Sequence, residues 1–174
     1  RSNKLLVRYT TKYDPDNMRP TEKTTWHGNN YQRLTYHYDN WGNITYVEDY
    51  SVSNGRTNQS QTWMYYYNTS SKPEPSVPWL DSPYQVTNAG SHRYDLLLGK
   101  VIANYIPTVD GKTQVQYLHS FYNYNELGQL VGNAVWNGKE WLLSEFKYHP
   151  VHGSITSKIN PEGHQTVYEY DDHG

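Results

Sequence analysis

Tyr36-His37-Tyr38-Asp39-Asn40-Trp41-Gly42-Asn43-Ile44-Thr45-Tyr46-Val47 decides the fold. It holds two alternating aromatic and β-branched runs around Asp-Asn-Trp-Gly. Alternation at period two puts Tyr36 and Tyr38 on one face of a strand, and Ile44 opens a second strand. Between them Asp39 can cap a turn through its carboxylate, and Gly42 supplies a positive φ. The stretch predicts strand, turn, strand.

The pattern recurs outward from there. Tyr124-Asn125-Glu126-Leu127-Gly128 and Tyr170-Asp171-Asp172-His173-Gly174 repeat it. Tyr94-Asp95-Leu96-Leu97-Leu98-Gly99 and Tyr148-His149-Pro150-Val151-His152-Gly153 carry one extra residue, while Tyr13-Asp14 and Tyr67-Asn68 begin looser copies. The seven anchoring tyrosines are spaced by 25, 29, 27, 30, 24 and 22 residues. Two residues before the anchor stands an aromatic in five copies: Tyr36, Tyr65, Tyr122, Phe146 and Tyr168. Two residues after the glycine stands an aliphatic in four: Ile44, Val101, Leu130 and Ile155. Asn54-Gly55, Asp110-Gly111, Asn137-Gly138 and Asn160-Pro161-Glu162-Gly163 supply a second set of turns between units. A unit of this size cannot bury an apolar face alone, so neighbouring units must stack.

Composition agrees with an all-β chain. The 174 residues include 19 Tyr, 6 Trp and 2 Phe, while Leu, Ile, Val and Phe together give 31. So low an aliphatic share would suggest disorder at high net charge, but 15 basic and 17 acidic residues leave −2. Few strong helix formers, 12 Gly and 9 Pro disfavour a helical bundle. The longest aliphatic run is Leu96-Leu97-Leu98, far short of the roughly 20 apolar residues of a membrane helix. With no Cys there is neither disulfide framework nor thiolate metal site. A pI near 6.5 without a basic run points away from nucleic acid. A first residue of Arg1 is read as a piece or processed product of a longer protein.

Residues 70–90 depart from the pattern. They are polar, contain Pro73, Pro75, Pro78 and Pro83, and read as a surface loop inserted in the array, since proline cannot donate to a sheet ladder. Trp79 is its candidate docking anchor.

Gly163-His164-Gln165-Thr166-Val167-Tyr168-Glu169-Tyr170-Asp171-Asp172-His173-Gly174, after Asn160-Pro161-Glu162, resembles one unit of a YD repeat, the element that defines the Rhs family. The segment around Tyr38 is similar to a second unit, and the looser copies extend the resemblance over residues 1–174. The resemblance implies long antiparallel hairpins winding as a spiral into a hollow shell. Such shells occur in polymorphic-toxin carriers, Tc-toxin cocoons, wall-associated Rhs proteins and teneurin ectodomains. It also implies a secreted or surface-displayed, bacterial protein whose partners are the rest of the same shell or an enclosed toxin polypeptide. The self-cleaving segment of some members has no counterpart in this chain, nor is a toxin domain recognisable.

The chemistry-bearing residues have plainer explanations. His149 and His152 have a gap that can suit a metal, but no third ligand stands at a suggestive spacing, so both are placed in a widened turn and no metal or other cofactor is expected. Glu140 with Glu145, or Asp171 with Asp172, could form a glycosidase pair, which needs carboxylates about 5–10 Å apart. The repeat's aspartates recur with glycine and strand, as turn caps do. No nucleophile elbow or phosphate loop is present, and no enzyme is expected. The residues expected to matter are the turn set Tyr38, Asp39, Gly42, Tyr94, Gly99, Tyr124, Gly128, Tyr148, Gly153, Tyr168, Tyr170, Asp171 and Gly174. The rival class is a binding module for cell-surface glycans, with sugar rings stacking on tryptophan, above all Trp41 and Trp79.

Overall fold

The structure, a computed structural model, describes residues 6–67, 80–84 and 95–171. Eleven strands follow one another: β1 (Val7–Tyr13), β2 (Pro20–His27), β3 (Asn30–Tyr38), β4 (Ile44–Ser53), β5 (Arg56–Tyr66), β6 (Leu97–Pro107), β7 (Thr113–Tyr124), β8 (Leu130–Trp136), β9 (Trp141–Tyr148), β10 (Ile155–Ile159) and β11 (Gln165–Val167). They hydrogen-bond in strict chain order within one open sheet. Every pairing given by register is antiparallel. No helix occurs among the described residues. The expected all-β class and succession of hairpins are therefore found.

The connections follow the turn chemistry. Asn54 and Gly55 have φ of 50° and 74°, the pair of positive values that a two-residue hairpin turn requires. Gly28, which carries no Asn or Asp before it, closes the β2–β3 hairpin with φ 62°.

The chain divides into two compact units. In residues 1–64 with 101–117, the strand faces are mostly half-buried, and the buried side chains are Thr24, Val101 and Ala103. Cross-strand ladders hold this unit. Register aligns Lys12, Glu22, Thr35, Glu48 and Gln61 on one face, where Lys12 and Glu22 form an ion pair at 2.9 Å. Next to that row, Gln59 Nε2 donates to Glu48 Oε1 at 2.9 Å, and Tyr105 Oη donates to Gln61 Oε1 at 2.5 Å. The aromatics pack among themselves: His37 with Tyr46 at 5.1 Å, Tyr46 with Trp63 at 5.5 Å, Tyr31 with Tyr50 at 6.0 Å. Arg8 covers Trp26 at 4.7 Å, and Arg33 covers Tyr50 at 5.4 Å. Each such cross-strand pair contributes about 0.2–1 kcal/mol, which is how a sheet poor in aliphatics holds together.

The unit of residues 65–100 with 118–174 has more of a core. Tyr67, Leu96 and Leu98 are buried together, with Tyr65 and Tyr124 packed against them. Tyr67 meets Tyr124 edge-on at 5.9 Å, and burial pushes the Tyr124 phenol up to about 12, helped by Tyr122, Tyr67, Asp95 and Tyr66. A second cluster forms where Phe121 and Trp136 both meet Trp141, at 5.5 and 5.4 Å. Gly132 allows a close approach there: a Cβ on it would stand 2.9 Å from the Tyr84 hydroxyl and 3.1 Å from its ring carbon. Tyr84 belongs to residues 80–84, the described piece of the proline-rich segment, where no strand is formed. The rest of that loop, including Trp79, lies outside the described residues.

His119 is buried at 4 % exposure, and desolvation lowers its pKa below the ordinary 6.5. The unfolded chain takes up this proton at the ordinary value and the folded chain resists it. Stability is therefore fully present above about pH 6.5 and is lost as pH falls toward the folded value. We expect thermal midpoints measured between pH 7.5 and 5 to fall on acidification, and His119→Gln to flatten that slope. An unchanged slope in the variant would remove His119 as the cause.

Two placements differ from expectation. Gly99 stands buried inside β6, not in a turn, and Val101, expected to open a strand, is the fifth residue of it. The strand begins at Leu97 because Leu98, Val101 and Ala103 are taken into buried positions and carry the backbone through Gly99 as extended chain. In the last copy, β11 ends at Val167, so Tyr168 and Tyr170 lie beyond the strand they were expected to close, with Tyr168 N still donating to Thr156 O at 3.0 Å.

Candidate functional site

The feature that recurs in space is the tyrosine turn. At the end of β3, Asp39 N donates to Asn43 O at 3.0 Å and Gly42 N to Asp39 O at 3.1 Å. Asp39 Oδ1 accepts from the backbone N–H groups of Trp41 and Asn43, both at 2.9 Å. The turn after β7 is built alike: Gly128 N donates to Asn125 O at 2.9 Å, and Asn125 Oδ1 accepts from Leu127 N and Gln129 N. The glycines at these places have φ of 93° (Gly42), 77° (Gly128) and 69° (Gly153). In the loose first copy Met18 occupies the same place with φ 58°, its N–H donating to Asp14 O. No pattern search for glycine finds this turn, because the geometry is kept without the residue.

The register slips at each of these turns. Tyr13 pairs with Pro20 while Lys12 pairs with Glu22; Tyr38 pairs with Ile44 while His37 pairs with Tyr46. Tyr124 pairs with Leu130 while Asn123 pairs with Gly132; Tyr148 pairs with Ile155 while Lys147 pairs with Ser157. The residue passed over is Thr21, Thr45, Val131 or Thr156, always three after the positive-φ residue. This is a β-bulge on the outgoing strand, a device that bends a strand and raises its twist.

At three places the next anchoring tyrosine along the chain reaches back to the residue beside the bulge. Tyr38 Oη donates to Pro20 O at 2.8 Å, Tyr148 Oη to Leu130 O at 2.7 Å and Tyr170 Oη to Ile155 O at 2.6 Å. In all three the acceptor is the residue paired with the preceding anchor. These three anchors thus tie their own turns to the ones before them. Burial raises the Tyr148 phenol above its usual value, so the hydroxyl keeps its proton to donate. Beside the clasp a second tie recurs from the residue following the positive-φ position. Arg19 Nη1 donates to Asp39 O at 3.3 Å with its guanidinium over Tyr38 at 5.7 Å, and Gln129 Nε2 donates to Gly153 O at 3.4 Å. Tyr148→Phe is expected to lower stability by about 1 kcal/mol, the usual net worth of one such bond. In a thermal melt that is a fall of about 2–4 °C for a chain of this size.

Of the expected turn residues, Tyr38, Asp39, Gly42, Tyr124, Gly128, Tyr148, Gly153 and Tyr170 stand in these turns or clasps, and Asp171 follows them. Tyr94 and Gly174 lie outside the described residues. Trp41 sits in its turn at 60 % exposure. Trp26 and Trp63 stand on strands against Arg8 and Tyr46, and Trp136 against Trp141. Glu140 lies in the turn capped by Asn137, whereas Glu145 lies on β9. The rings of His149 and His152 stack on each other at 4.7 Å, and His149 Nδ1 accepts from the N–H groups of Val151 and His152. Histidine there does what Asp39 and Asn125 do elsewhere. Among the described residues, no three His, Asp or Glu side chains are grouped to hold a metal ion. Compared with protein-family models and with curated proteins, the chain matches none.

Proposed function

We propose that this chain is a wall segment of a larger Rhs-type container, secreted or surface-displayed, that encloses or presents another polypeptide. The observation that carries the reading is the tyrosine clasp, which at Tyr38, Tyr148 and Tyr170 ties one turn to the turn before it. An array tied this way gains stability by adding neighbours in one dimension. Register slips recur at four of these turns, and a β-bulge is a device that bends a strand and raises its twist, as a curving wall needs. The reading assigns the chain no catalytic residue and no cofactor.

The test is the size and form of the native protein, by intact mass and negative-stain imaging of material purified from its source. A closed hollow particle several times larger than 20.4 kDa, with a protease-protected polypeptide inside, is the expected result. A compact native product near 20.4 kDa would overturn the container. The second reading, a glycan-binding module, would then rest on the exposed Trp41. It is tested by a glycan array with Trp41→Ala as control.

A further inference from the structure

We infer that the His149 turn is a proton-operated latch, the one described tyrosine turn whose cap is removed by protonation of its side chain. The inference stands independently of the container. In the other turns the cap is a carboxylate or an amide, Asp14, Asp39 or Asn125, and accepts two backbone N–H groups through one oxygen. At 149 the acceptor is an imidazole nitrogen, Nδ1, which receives Val151 N and His152 N, both at 3.2 Å. An imidazole accepts at one nitrogen only when neutral; the imidazolium donates at both. Protonation therefore deletes both caps in one step, where a carboxylate or amide would keep them through the same range. The cation would also stack on His152, whose ring lies at 4.7 Å with an interplanar angle of 20°, so that a second proton brings two like charges face to face.

The surroundings admit that proton. One side of the turn is a concavity of about 490 Å³ that it shares with Leu127, Gln129 and Phe146, and Lys147 and Tyr148 of β9 are the titratable groups there. His149 and His152 also line a second concavity, of about 450 Å³, with Tyr168, Glu169, Tyr170 and Asp171. Glu169 and Asp171 are the carboxylates of that second concavity. This turn joins β9 to β10, so its opening loosens the end of that ladder where Tyr148 pairs with Ile155.

The experiment is a pH titration of the isotope-labelled chain by nuclear magnetic resonance, from pH 7.5 to 5.0, reading the ring nitrogens of His149 with the amide protons of Val151 and His152. We expect a bare Nδ1 at pH 7.5, and amide signals that move upfield together with the ring on one midpoint. His149→Asn keeps an acceptor that does not titrate, so its two amides stay in place. Its thermal midpoint should drop less than the parent's between pH 7.5 and 5.0, by about 2–4 °C. His119 is common to both chains and cancels in that difference. A proton on Nδ1 at pH 7.5, amides that stay fixed while the ring titrates, or equal acid-induced drops in parent and variant would each overturn the latch.

Discussion

Val101→Asp is expected to leave no cooperative folding transition at neutral pH. Among the described residues Val101 is the largest side chain with no exposure at all, and Ala103 beside it on the same face of β6 is equally buried. An aspartate there must either ionise in an apolar setting or take up a proton, and each route costs several kcal/mol. Stability of a domain of this size amounts to about 5–15 kcal/mol in total, and few buried aliphatics are available here to offset the loss. Val101→Ala serves as the graded counterpart: the cavity it leaves costs about 1–3 kcal/mol, so the chain still melts cooperatively at a lower temperature. Urea denaturation followed by tryptophan fluorescence separates the two. A cooperative transition for Val101→Asp near that of the parent would show that the β6 position is wet.

Gly42→Val is the second large effect. The backbone stands at φ 93°, where an L residue is strained and a β-branched one more so. A Cβ at this place also falls 2.7 Å from Arg19 Nη2 and 2.9 Å from Arg19 Cζ. The flexible guanidinium can move away, but it then gives up its bond to Asp39 O and its place over Tyr38. Backbone strain of about 1–3 kcal/mol and the lost contacts add, and a fall of about 2–4 kcal/mol is expected by chemical denaturation. Gly55→Val is the matched control: φ there is 74°, yet nothing lies within 4 Å of the added carbon. The loss at Gly42 is expected to exceed that at Gly55, because only Gly42 adds the Arg19 contact to a strained φ. Equal losses would mean that Arg19 contributes nothing at this turn.

The local half of this architecture was legible. Alternating residues such as Tyr36, Tyr38, Ile44 and Tyr46 announce strands because side-chain direction flips at every residue, whatever lies across the sheet. Asp39 with Gly42 and Asn125 with Gly128 announce turns because cap and positive φ are properties of four or five consecutive residues. Gly99 shows where that reasoning stops. It follows a tyrosine at the right distance, yet Leu98, Val101 and Ala103 find buried positions and draw it into a strand. Met18 shows the reverse, a turn formed without glycine because Asp14 holds both ends of it.

The candidate site was legible as a list of residues and not as a device. Tyrosine at 38, 148 and 170 is written in the chain, but its hydroxyl acts on a carbonyl 15 to 18 residues earlier. The bulges at Thr21, Thr45, Val131 and Thr156 are invisible in the same way, since a slip of register exists only between two strands. His149 reads as a metal-ligand candidate in a row of letters and becomes a backbone cap once its ring is folded over its own turn. Sequence alone determined the all-β class, the order of hairpins and most of the turns, because each follows from the preferences of neighbouring residues. Tertiary structure alone decided which strand Gly99 joined, where the bulges fell and what each tyrosine hydroxyl holds. Those outcomes depend on groups brought together from distant parts of the chain, and nothing in a run of adjacent residues states the distance between them.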